Sequence, residues 1–224
     1  MQNLLTNGYY TGTLEDIVTD TTEFDSHINI VKDCFTNKKE STFRYRNVVQ
    51  MHPEYSMHVE LSDLENRRNI IKTNNYSIGQ QWYESYSVAD INPSKNYFRN
   101  IIKKFIRKAY PNIRDDFSNF KVEDSFTVFA NGDFIEPHID GDNNGRLCVV
   151  LIYLSDREDY NGSGDFIISD LGIKISPVKN NFMMLDFTLN NMQHEVQEVT
   201  GDFLRYAYIG FVYDTDIEKN YEKL

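Results

Sequence analysis

The sequence predicts a mainly β fold with helical support, a double-stranded β-helix of jelly-roll or cupin type with about eight antiparallel strands. Three observations carry this. From Asp124 onward, eight short β-type runs follow one another at close spacing, separated by Gly, Asn and Asp. Eight such strands in two sheets is the jelly-roll count. Before Asp124 the clearest apolar patterns are helical, and 224 residues suffice for one domain with a sizeable core. The expected organisation is one integrated domain, with residues 1–123 a helical or mixed support packed on the core, 124–214 the β core, and 215–224 a tail.

Taken in order, residues 1 to about 60 are mixed, with a helix over Phe24–Phe35, where Ile28, Val31 and Phe35 fall at helical spacing behind a capping Asp or Ser. A second helix is predicted over Leu61–Ile71, capped by Ser62 or Asp63. The third, Ser94–Tyr110, places Tyr97, Ile101, Phe105 and Ala109 on one face, sets Arg99, Lys103, Lys104, Arg107 and Lys108 outside as a solvated face, and is stopped by Pro111. The β runs are Ser125–Ala130, Glu136–Asp140, Leu147–Leu154, Asp165–Ser169, Gly172–Ser176, Asn181–Phe187, His194–Val199 and Leu204–Tyr213.

Charge excludes one class of partner. With 23 Lys+Arg against 34 Asp+Glu, the net charge is -11 and the pI near 4.9, the wrong sign for holding a phosphate backbone, so nucleic acid is not an expected substrate. Cys34 and Cys148 match neither a zinc spacing nor a disulfide framework, which points to a reducing compartment. No signal-peptide pattern opens the chain and no apolar run of about 18 residues spans a membrane, so the expected location is cytoplasmic.

The chemistry concentrates in Thr127–Arg205. His138 and Asp140 bracket Ile139, and in a strand residues i and i+2 share a face, so an imidazole and a carboxylate point at one spot. His194, heading a later strand, is the candidate third ligand. Two His and one carboxylate on one face of an octahedron is the arrangement of non-haem Fe(II) oxygenases and leaves open positions. Other histidines are weaker candidates: His52 and His58 would share a face if extended but lack a third ligand, and His27 lies in a helix. Trp82, Tyr83 and Tyr86 read as core aromatics, with a substrate cleft as the other option.

Four motifs in order make the chain resemble the Fe(II)- and 2-oxoglutarate-dependent dioxygenases, in their prolyl-4-hydroxylase-like branch. They are Phe129–Asp140, which contains the H-x-D, then Gly145–Ser155, Gly162–Phe166, and His194–Tyr206. The resemblance covers about residues 124–214. It implies that His138, Asp140 and His194 bind Fe(II), that Arg205 pairs with the far carboxylate of 2-oxoglutarate, and that Tyr153 hydrogen-bonds that carboxylate. It further implies O2 as the second cosubstrate, room for ascorbate as an accessory reductant, succinate and CO2 as products, and hydroxylation of a C–H bond, most readily on a prolyl residue of a peptide or protein. Two departures stand out: Phe129 occupies a position where relatives often carry Tyr, and Gly162-Ser163-Gly164 replaces a Gly-Gly turn.

The residues themselves add physical arguments. Arg205 opens an alternating strand and can face inward, where an unpaired guanidinium is costly; a ligand carboxylate or a structural Asp or Glu would supply the partner. The intact Asp140 speaks for hydroxylation over halogenation, and no second arginine follows Arg205 as in nucleic-acid demethylating relatives. The rival reading is a cupin-like metal-binding or degenerate oxygenase module acting as a sensor or interaction domain.

Overall fold

The computed structural model describes residues 7–37, 43–47, 49–50, 56–57, 81–82, 84–88, 92–109, 120–140, 146–187 and 192–214. The predicted helix over Leu61–Ile71, together with His52, His58 and Tyr83, lies outside the described residues, as do the side chains of Trp82 and Tyr86. The observed order is β1 (Tyr9–Thr13), a 3-10 turn (Leu14–Asp16), α1 (Thr21–Asn37), β2 (Phe43–Asn47), β3 (Val49–Gln50), β4 (Ser56–Met57), β5 (Gln81–Trp82), β6 (Glu84–Val88) and α2 (Asn92–Ala109). Eight strands follow: β7 (Phe120–Phe129), β8 (Phe134–His138), β9 (Arg146–Tyr153), β10 (Phe166–Ile168), β11 (Ile173–Ile175), β12 (Asn181–Asp186), β13 (His194–Val196) and β14 (Arg205–Asp214). Each corresponds to one predicted run, and among the described residues no helix is long and apolar enough to cross a membrane.

Two antiparallel sheets form the double-stranded β-helix. The larger has the order β1-β12-β9-β14-β7-β6-β2, the smaller β11-β10-β13-β8-β5, and β3-β4 is a separate pair. β1, β2, β5 and β6 were not predicted; through them the N-terminal region contributes strands to both sheets besides its helices. Their partners are remote in sequence; Tyr9, for instance, pairs with Leu185. β7 begins five residues before its predicted start because β14 pairs with it along its whole length, from Arg205↔Phe129 to Asp214↔Phe120.

The central strands β9 and β12 of the larger sheet are buried on both faces, which explains their near-continuous apolar runs. Along β9 and β14, Cys148, Val150, Ile152, Tyr206 and Tyr208 face a core shared with the helices. The alternate residues Val149, Leu151, Tyr153 and Ala207 face a second core, shared with Phe166, Ile168 and Val196 of the smaller sheet. This alternation follows from the period of two along a strand, and it separates a structural layer from the layer that holds the site. Fully burying a side chain such as Phe98 or Phe126 contributes about 1.5–3 kcal/mol relative to exposure.

The helices pack on the outer face of the larger sheet. α1 starts earlier than expected because its cap is Asp20, whose Oδ1 accepts the N–H groups of Thr22 and Glu23, both at 3.0 Å. Asp25 and Ser26 are therefore inside the helix, and Asp20 with Glu23 three residues on is its capping signature. α2 buries a wider face than predicted, adding Phe98, Ile102 and Ile106 to Ile101, Phe105 and Ala109, while Tyr97 is only half-buried. It can approach β14 because position 210 is glycine: a Cβ there would stand 2.2 Å from Ile102 Cδ1.

The expectation of a solvated basic face on α2 holds for Lys103, Lys104, Arg107 and Lys108 but not for Arg99. Arg99 Nε lies 2.5 Å from Asp124 Oδ2 and its NH2 donates to Oδ1 at 2.8 Å. The buried Lys95 reaches the same carboxylate at 3.2 Å, and Tyr208 Oη donates to it at 2.6 Å. A carboxylate buried at the end of the helical layer needs such partners, and this cluster ties α2 to β7 and β14.

Candidate active site

His138 closes β8 and His194 opens β13, and the two are direct partners across the antiparallel pair. Two residues further on, Val196 pairs with Ile135 where regular register would bring Glu136, so the ladder slips by one residue between them. Strict alternation would put Glu136, not Ile135, on the face of His138. The slip lets Ile135 pack in the inter-sheet core while His138 turns to meet His194.

β8 ends at His138, so Asp140 lies just beyond the strand rather than within it as the sequence predicted. The carboxylate nevertheless meets both imidazoles. Asp140 Oδ1 is 3.6 Å from His138 Nε2, and Oδ2 is 3.6 Å from His194 Nε2. The rings of His138 and His194 lie 4.3 Å apart, and one ligand atom from each of the three residues falls within 4.8 Å of the others. Separations of 3.6 Å are too long for good hydrogen bonds but suit donor atoms that share one cation at about 2 Å.

His194 is the most firmly held of the three. It is buried, its ring stacks on Phe166 at 5.3 Å between centroids, and Nδ1 lies 3.0 Å from the Met192 carbonyl. A carbonyl only accepts, so Nδ1 carries the proton and Nε2 turns its lone pair toward Asp140. Burial and then the neighbouring His138 hold the His194 imidazole below the usual range, against the opposing pull of Asp140 and Met192. Burial pushes the Asp140 carboxyl up, but His138, His194 and Arg146 outweigh it and the group sits below its ordinary value. Both directions favour neutral imidazole and ionised carboxylate, the forms that bind a metal.

Arg205 lies on the inward face of β14, opposite Phe129 and two residues before Ala207, which pairs with Tyr153. It is fully buried, at 0% exposure. Its guanidinium carbon sits 4.8 Å from the Phe129 ring centre and 5.3 Å from that of Tyr153. Nε donates to the Gly164 carbonyl at 2.8 Å. Both terminal nitrogens, and the hydroxyl of Tyr153 beside them, have no hydrogen-bond partner among the described residues. Asp165 acts on Arg205 through its charge, its Oδ1 accepts the hydroxyl of Tyr160, and no ion pair joins it to the Arg205 guanidinium among the described residues. The structural-acid alternative for Arg205 is therefore not met among the described residues.

Burial pulls the Arg205 guanidinium below its usual range, against the opposing influence of Tyr153 and Asp165. Burial likewise pushes the Tyr153 phenol up to about 12, so the hydroxyl keeps its proton and remains a donor. Two guanidinium nitrogens and one phenol hydroxyl thus converge with no carboxylate or carbonyl to accept from them among the described residues, a set that matches a carboxylate ligand in charge and donor count. Phe129, where relatives often carry Tyr, adds an aromatic face and no further donor.

Two neighbours were not singled out as site residues from the sequence. Gly164, at φ +73, turns its carbonyl to Arg205, and a Cβ there would lie 2.8 Å from Val199 Cγ2 and 3.2 Å from Arg205 Cδ. The Gly162-Ser163-Gly164 turn was its only signal. Phe166, the support under His194, looks like any core phenylalanine in sequence. His27 is remote from the cluster in role: it is half-buried, meets Ser94 Oγ at 3.0 Å and stacks on Tyr97 at 4.3 Å.

Residues 125–213, which include all five site candidates, match the family model described as the 2OG-Fe(II) oxygenase superfamily. Among solved structures, the fold is similar to that of a prolyl hydroxylase from Trichoplax adhaerens in complex with a hypoxia inducible factor oxygen degradation domain peptide fragment, with a TM-score of 0.61 and 14% identity over 98% of this chain and 89% of that one. It is also similar to a Pseudomonas putida prolyl-4-hydroxylase, with a TM-score of 0.55 and 14% identity over 95% of each chain. A Burkholderia pseudomallei oxidoreductase of the 2OG-Fe(II) oxygenase family gives a TM-score of 0.55 and 10% identity over 95% of this chain and 88% of that one. At these identities the likeness shows a shared fold. No curated protein matches the chain in sequence.

Proposed function

We propose that this chain, whose residues 125–213 match the 2OG-Fe(II) oxygenase superfamily model, is an Fe(II)- and 2-oxoglutarate-dependent dioxygenase that hydroxylates a prolyl residue of a peptide or protein. The observation that carries the cosubstrate half is Arg205, a fully buried cation whose two terminal nitrogens have no partner among the described residues. An isolated buried charge costs several kcal/mol, and a ligand carboxylate offsets that cost. His138, Asp140 and His194 would hold the metal, two neutral nitrogens and one carboxylate balancing part of its charge. Bound Fe(II), with 2-oxoglutarate and O2, supplies the oxidising chemistry and yields succinate and CO2.

The protein's own residues do the rest. The Met192 carbonyl fixes the His194 tautomer and ring direction, and Asp140 spans the two imidazoles. The Arg205 fork would take the distal carboxylate in a bidentate pair that a lysine cannot reproduce, with Tyr153 donating a further hydrogen bond. The apolar inter-sheet core keeps water from competing for those donors. Support for a prolyl substrate comes from the fold shared with proteins described as prolyl hydroxylases, one of them holding a peptide.

Succinate formation by the iron-loaded protein tests this, measured with proline-containing peptides, with free amino acids and with no substrate. The expected result is turnover stimulated by a prolyl peptide. Stimulation by free amino acids alone removes the peptide substrate, and the absence of both 2-oxoglutarate binding and turnover removes the oxygenase.

A further inference from the structure

The ladder between β9 and β14 stops just short of Arg205. It runs from Tyr213↔Arg146 to Ala207↔Tyr153, and Leu154 N then donates to the Tyr206 carbonyl at 3.0 Å. After that the β9 chain turns away: Ser155 bridges Val178 in a parallel sense, and its carbonyl accepts Lys179 N at 2.6 Å. Beyond Leu154, no further backbone hydrogen bond from the β9 chain to the residues beside Arg205 occurs among the described residues. The Ser155 side chain takes that place. Its hydroxyl donates to the Leu204 carbonyl at 2.9 Å and accepts from Tyr206 N at 2.8 Å, the peptide groups on either side of Arg205.

Ser155 is itself pinned. It is 1% exposed, and α1 grips both of its flanks: Lys32 Nζ meets Asp156 at 2.5 Å, and Asp25 holds Lys179 Nζ at 3.0 Å. Its one donor is spent on the Leu204 carbonyl and one acceptor site on Tyr206 N, so it has no proton left to donate to a ligand carboxylate. We propose that Ser155 is a positioning residue whose hydroxyl fixes the backbone of Arg205 and so aims the guanidinium fork. The proposal rests on the reading of Arg205 as the 2-oxoglutarate anchor, and the tests separate the two.

Ser155→Ala is compared with wild type by anaerobic 2-oxoglutarate titration of the Fe(II)-loaded protein, and by NMR exchange of the Arg205 Nε–H in the metal-free protein. The expected result is about tenfold weaker 2-oxoglutarate binding, unchanged Fe(II) binding, and Nε–H exchange faster by about the same factor. In an Arg205→Ala background, adding Ser155→Ala should leave 2-oxoglutarate affinity unchanged, because the hydroxyl acts through Arg205. If the alanine variant does not fold, Ser155→Cys, similar in size and a weak hydrogen-bonding group, takes its place. Wild-type affinity together with wild-type Nε–H exchange in a folded variant overturns the proposal. If the wild-type protein takes up no 2-oxoglutarate, the cosubstrate reading falls and the exchange rate alone decides on Ser155: faster exchange upholds positioning and unchanged exchange overturns it.

Discussion

Replacing Arg205 by methionine separates a ligand anchor from a structural cation, because the two roles predict opposite signs for stability. Methionine has similar reach and no charge. In the metal-free protein the substitution removes a fully buried guanidinium of which, among the described residues, only Nε is bonded, to the Gly164 carbonyl at 2.8 Å. Losing that bond costs about 1 kcal/mol, whereas replacing a poorly compensated buried charge by a packed apolar chain returns about 1–4 kcal/mol. The metal-free variant should therefore unfold in urea at a free energy within about 1 kcal/mol of wild type, or above it. 2-Oxoglutarate binding should move the other way. Loss of a buried charge pair with the ligand costs about 2–5 kcal/mol, a weakening of about 30-fold or more. At a concentration 100 times the wild-type Kd, 2-oxoglutarate should stabilise the wild-type Fe(II) protein by about 2.7 kcal/mol, and the variant by less than about 1 kcal/mol. The assay is anaerobic urea unfolding with and without the ligand. A metal-free variant destabilised by about 3–5 kcal/mol, as when a paired buried ion loses its partner, would refute the reasoning, as would equal stabilisation of both proteins by the ligand.

His138→Ala and His194→Ala should each abolish stoichiometric Fe(II) binding in anaerobic titration while Arg205→Met retains it; full binding in a folded double His variant would remove the triad. Gly164→Ala should cost about 1–2 kcal/mol of stability, because φ is +73 and the new Cβ would stand 2.8 Å from Val199 Cγ2, and should weaken 2-oxoglutarate binding by moving Arg205; wild-type urea midpoint and affinity would count against it. Burial pushes the Asp124 carboxyl up, but Arg99, Tyr208 and Lys95 together hold it below the usual range. A folded pKa below the unfolded value of about 3.9 means that its stabilisation is present above about pH 4 and lost as pH falls through the folded pKa. Asp124→Asn should be destabilised by about 3 kcal/mol at pH 7 and lose less stability than wild type on acidification; parallel stability profiles for the two proteins would contradict this.

What was legible in the sequence was local. The strands from β7 to β14 announce themselves through apolar runs and turn residues, and His138, Asp140 and His194 lie in or beside those runs, so residue type and spacing sufficed to bring them together. What was not legible depends on partners far along the chain. Tyr9–Thr13 becomes a strand because β12 offers it an edge, and nothing within those five residues says so. The slip between His194 and Val196 is likewise a property of the pair β8–β13; alternation within β8 alone puts the wrong residue beside His138. The length of β7 depends on β14 in the same way.

Arg205 shows why the remaining gap lies at the site. From sequence its inward direction is readable and a ligand carboxylate is the natural partner, but a structural acid stays open, since any of the chain's 34 Asp and Glu residues could be brought near by the fold. The fold brings Asp165 within electrostatic reach and then commits that carboxylate to Tyr160. Around the fork it places Phe129, Tyr153 and a glycine carbonyl, which supply aromatic faces, one further donor and a single acceptor for Nε. For folding alone an aliphatic residue at position 205 would serve better, as it does at Ala207 on the same face. A position where local stability rules are broken, with the surrounding residues arranged so as not to repair the break, is where a functional role is to be sought. The same reasoning applies to Ser155, whose buried hydroxyl takes over where the β9–β14 ladder ends and bonds the two peptides that flank Arg205.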